Sequence, residues 1–161
     1  MTTPTDRILC NWYQGEAAGH ALFHEVARLS VDGGLREKWL ELARLEKAME
    51  QELSNILVSR GVPRPASAAA EGTRAAIEIS SKPWIEQMGW MSATARRALE
   101  QMSSEAAAMP PLLYDLGALM LEHEAALVEF ADRELAGDGL RSLATLRALV
   151  ERLAGPGPGR L

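Results

Sequence analysis

The chain has 161 residues, 47% of them hydrophobic, and a formal net charge of −5, which suits one domain with a core of its own. Lysines and arginines are spread along the chain, so no basic stripe offers itself to DNA, RNA or anionic lipid. The single cysteine, Cys10, cannot close an internal disulfide, residues 1–6 lack a basic-then-apolar leader pattern, and Glu or Asp interrupts every apolar stretch before the ~18 residues of a membrane span; the expectation is a cytoplasmic protein that binds neither nucleic acid nor membrane.

Alanine, leucine, glutamate and arginine dominate, with only two Phe and two Tyr, so the expected class is all-α. Thr3, Pro4 and Asp6 form a helix start, and the first helix is expected over 4–30. Asp32-Gly33-Gly34 breaks it, and a second helix follows over 35–60 as an antiparallel neighbour. Gly61-Val62-Pro63-Arg64-Pro65 ends that helix. The next fifteen or so residues show no sustained amphipathic period and read as a connector with at most one helical turn. Ser80-Ser81-Lys82-Pro83 opens a third helix over 83–107, Pro110-Pro111 breaks it, and a fourth runs to Ala136. After Gly137-Asp138-Gly139, Leu140, Leu143, Leu146, Leu149 and Leu153 mark a short fifth helix. Residues 1–154 form the single domain, and 155–161 read as a disordered tail.

On a helical wheel, a carboxylate inside an apolar stripe needs a reason and one on the outer face does not. The first helix carries Leu9, Trp12, Glu16, Phe23 and Ala27 on one stripe, with His20 one turn after Glu16. The second carries Leu35, Trp39, Leu42, Glu46, Met49, Leu53 and Ile56. In the fourth, His123 falls within the apolar arc and Glu124 on its flank; the third has Trp84, Met88, Met91, Ala95, Ala98 and Met102 and no acid. Counted from the tight turns at 1.5 Å per residue, Glu16, Glu46 and Glu124 share one level, close to His20 and His123. Buried carboxylates require protons, hydrogen-bond partners or a cation.

Over residues 5–136 the pattern of helix, tight turn, helix, long crossover, helix, tight turn, helix, with Glu16 and Glu46 in these places, resembles the ferritin-like superfamily, the rubrerythrin and bacterioferritin group of four-helix bundles. The resemblance implies a Glu on the first helix and Glu-x-x-His on the second, mirrored on the third and fourth, holding two iron or manganese ions. Here Met49 and Leu127 stand where the two ligand histidines belong, and Met91 or Ser92 where the third helix would bring its Glu. Three of the six ligands are thus replaced, and thioether sulfur suits ferric or manganous ions poorly. What the resemblance implies is a site lost, or rebuilt from Glu16, Glu46 and Glu124 with His20 and His123, of oxidoreductase type.

The residues themselves leave other readings open. Glu16 and Glu46 can be an acid pair that is protonated or bonded to Trp12, Trp39 or Arg and fixes helix register. The chain can be a non-catalytic interaction module or homodimer whose last helix covers the bundle or a second subunit. The methionines can line a pocket for a small apolar ligand near Met88 and Met91.

Overall fold

The computed structural model describes residues 3–155, which hold six α-helices and no strand: α1 (Pro4–Leu29), α2 (Gly33–Ser59), α3 (Ala69–Ser80), α4 (Trp84–Ala107), α5 (Tyr114–Leu135) and α6 (Ala144–Ala154), with a 3-10 turn at Pro111–Leu113. Except for Gly155, the segment expected to be a disordered tail lies outside the described residues. Among those described, no helix is long and apolar enough to cross a membrane.

Named contacts fix the helix directions. Asp6 near the start of α1 meets Arg60 just past the end of α2, and Gly19 faces Glu46, so α1 and α2 run antiparallel. Trp84 meets Glu134, and Ala106 faces Gly117, so α4 and α5 do the same. Trp12 bonds Glu105 across α1 and α4, and Lys38 pairs with Glu134 across α2 and α5. It follows that α2 and α4 are parallel, and the chain must return the length of the molecule between them.

That return contains α3, twelve residues of helix where at most one turn was expected. Its buried positions are Gly72, Ala76 and Ile79, spaced four and three apart as a helix face requires. The stripe is built from small residues, which gives little hydrophobic contrast in sequence. It packs by backbone approach instead: a Cβ on Gly72 would lie 2.0 Å from the Ala18 carbonyl oxygen. The last helix also begins later than its leucines suggest. Leu140 is fully exposed, whereas Leu146 and Leu149 are buried, and α6 packs on α2 and α5 of its own chain.

The core is mostly aliphatic, with an aromatic knot at the end where α1 turns into α2. Trp39 is edge-on to Trp84 at 5.8 Å and tilted against Phe23 at 5.5 Å, and Trp84 is edge-on to Phe130 at 6.5 Å. Beneath it, Glu134 receives Lys38, the Trp84 indole N–H at 3.0 Å and the Ser142 hydroxyl, so this buried acid is fully paired.

At the opposite end, Thr3 and Asp6 close a capping box, with the Asp6 amide donating to Thr3 Oγ1 at 3.1 Å and the Thr3 amide to Asp6 Oδ2 at 3.0 Å. Arg60 donates to the other Asp6 oxygen at 2.9 Å. The hydrogen bonds from Thr3, then those from Arg60, hold the Asp6 carboxyl down at about 2 against an ordinary 3.8. A depressed carboxylate contributes stability that is present above its ordinary value and lost as pH falls through its folded value. Acid titration of wild type and Asp6→Asn, followed by circular dichroism, should therefore show a wild-type loss of stability between about pH 4 and 2 that the variant lacks.

Candidate metal centre

Halfway along the helices, Glu16 of α1, Glu46 of α2 and His123 and Glu124 of α5 come together, with residue exposures of 2%, 4%, 1% and 6%. His123 Nε2 and Glu46 Oε1 share a hydrogen bond of 2.8 Å, and the same nitrogen is 3.5 Å from Glu16 Oε2. His123 Nδ1 lies 3.9 Å from Glu124 Oε1. One donor atom from each of Glu16, His123 and Glu124 falls within 4.8 Å of the other two.

Local sequence explains why these side chains reach one another. Glu46 turns its carboxylate onto the backbone of α1 at Gly19, where any Cβ would stand 2.2 Å from Glu46 Oε2. Glycine at this position is a space requirement of the site. Consecutive residues His123 and Glu124 both point inward because the apolar arc of α5 is wide, running through Met120, Leu127 and Phe130, all buried.

Two buried atoms in the cluster have no hydrogen-bond partner, Glu16 Oε2 and His123 Nδ1. Where Nε2 carries the ring hydrogen, the lone pair of the imidazole lies on Nδ1, which faces Glu124. Burial pushes the Glu16 carboxyl well above its ordinary 4.5; His123 opposes that, and Glu46 and Glu124 reinforce it. Burial raises Glu46 too, with Glu124 adding to it, and burial is also the main cause for Glu124. Left to themselves the acids hold protons, and a nearby positive charge would release them.

His20 is not brought into this group. Its ring is one-third exposed, 4.0 Å from Glu50 Oε2 and beside His24. Nor do Trp12 and Trp39 hold the acids: the Trp12 N–H donates to Glu105 Oε2 at 2.6 Å, and the close partner of Glu46 is His123. At the remaining positions of the implied ligand pattern, Met49 is packed in the core, Ser92 bonds Asp132 at 2.7 Å, and Met91 and Leu127 face a cavity.

That cavity has a volume of about 410 Å³ and lies between α1 and α4, with α3 along its rim. Glu16, Glu46 and Glu124 form part of its wall, and Phe23, Trp90 and Met102 line it further out. Of the two methionines near which an apolar pocket was expected, Met91 lines this cavity, whereas Met88 is buried in the core outside it. Gly19, Ala95 and Ala98 are among the small residues that line the cavity. Among known families no model matches this chain, and no curated protein and no solved structure matches it either.

Proposed function

We propose that this chain is a divergent ferritin-like four-helix bundle that binds one divalent ion of the iron or manganese type through Glu16, Glu46, Glu124 and His123. The observation that carries the reading is the pair of buried, partnerless donor atoms, Glu16 Oε2 and His123 Nδ1, in a group where Glu16, His123 and Glu124 each bring a donor atom within 4.8 Å of the others and Glu46 bonds His123. Three carboxylate groups and one imidazole are a donor set that suits ferrous or manganous ions. With Met49, Leu127 and Met91 or Ser92 where three of the family's ligands stand, the residues present fit one ion and not two. The parallel course of α2 and α4, with a long return between them, supports the ferritin-like part of the reading. Bound there, such an ion would supply Lewis-acid or one-electron chemistry at the wall of an apolar cavity.

The acids give the test a sign. A carboxyl whose folded value is raised costs stability once pH exceeds its ordinary 4.5, so the metal-free protein should lose stability as pH rises from there through the raised values. A cation takes up the exposed charge, and its binding expels protons, so its effect grows with pH. Thermal unfolding of chelator-treated protein, with manganous chloride or anaerobic ferrous iron added, is expected to shift upward by roughly 5–10 °C at a hundredfold excess over Kd, corresponding to about 2.7 kcal/mol. The shift should be larger at pH 8 than at pH 6. No shift with either metal at either pH would refute the reading.

A further inference from the structure

The cavity beside the carboxylates is shaped for an organic molecule as well as an ion. Its volume of about 410 Å³ falls in the range of small-molecule sites, and its wall is apolar over Leu22, Phe23, Trp90, Met91 and Met102. The ionisable groups that line it are all acids, Glu16, Glu46, Glu71 and Glu124, with no Lys, Arg or His among them. Glu16 is 2% exposed, lines the cavity and has Oε2 without a partner. A wall whose ionisable groups are all acids suits a positively charged hydrogen-bond donor better than a neutral or negative group. The Trp90 indole and the methionines offer soft, polarisable surface to the rest of such a molecule. The exposed residues Gly15 and Glu71 lie at the mouth, so entry is from the side of α3.

We propose that this cavity binds a small lipophilic amine, its ammonium head on Glu16 and Glu124 and its apolar body between Phe23, Trp90 and Met102. The inference does not depend on a metal. It rests on the cavity's all-acid, otherwise apolar lining, which is the same whether or not an ion is bound.

The test is isothermal titration of the full chain, chelator-treated and manganese-loaded, with 2-phenylethylamine as probe and 2-phenylethanol and 3-phenylpropionate as matched controls. Saturable binding of the amine at least about tenfold tighter than the alcohol, with no binding of the acid, is the expected result. Glu16→Gln should weaken the amine by about tenfold or more while leaving the alcohol within about twofold. Filling the space with Ala98→Trp, or with Thr94→Trp nearer the surface should the first fail to fold, should abolish binding of both. Equal affinity for amine and alcohol, an amine affinity indifferent to Glu16→Gln, or no saturable heat would each overturn the proposal. Metal content measured on the same samples separates the two readings, because a chain that takes the amine and no metal refutes only the metal reading.

Discussion

Glu46→Ala is expected to weaken manganous or ferrous binding by about 100-fold or more, the largest functional effect of any single substitution in this chain. Glu46 shares a 2.8 Å hydrogen bond with His123, and Gly19 leaves the space that its carboxylate occupies. Removing it takes away one negative charge and frees the His123 ring to turn. The variant should still fold, because the acid it loses is one that burial penalises and Met49 and Leu45 beside it keep their packing. Titration calorimetry with manganous chloride, with far-ultraviolet circular dichroism as the folding control, reads both halves. Wild-type affinity in a folded Glu46→Ala protein would remove Glu46 from the site.

The largest effect on stability is expected at Trp39. Its side chain is 1% exposed and lies between Phe23 of α1 and Trp84 of α4, so it ties the first pair of helices to the second. Trp39→Ala should cost about 3–5 kcal/mol, the usual penalty for emptying so large a buried volume. In a chain of this size that lowers the midpoint of thermal unfolding by roughly 10 °C or more. Trp39→Phe should recover much of the loss, since the ring-on-ring contacts survive. A loss below about 1 kcal/mol on chemical denaturation of Trp39→Ala would mean that the aromatic knot is not what joins the two pairs.

The long helices were legible because their signals are local and redundant. Thr3-Pro4 with Asp6, Asp32 before Gly33, and Pro110-Pro111 each mark an end, and each falls within three residues of the observed boundary. The stripes through Glu16, Glu46 and His123 were legible for the same reason, as wheel positions become buried positions once a helix is amphipathic. What the sequence withheld depends on side-chain size and on distant partners. The α3 helix hides behind Gly72 and Ala76, which bury backbone rather than bulk. Glu134 is buried through Lys38, Trp84 and Ser142, residues brought from three other parts of the chain. His20 falls within the buried arc of the α1 wheel, between the directions of Leu9 and Tyr13, so its partly exposed place beside Glu50 and His24 could not be read from that helix alone.

The central claim is that Glu16, Glu46, Glu124 and His123 hold one divalent ion, and elemental analysis of protein purified without a metal-affinity tag tests it most directly. The protein is grown with iron or with manganese supplied and dialysed before measurement. Close to one ion per chain, lost in Glu46→Ala, is the predicted result; metal at background level in both preparations would contradict it and leave a helical bundle with a protonated acid cluster at its centre.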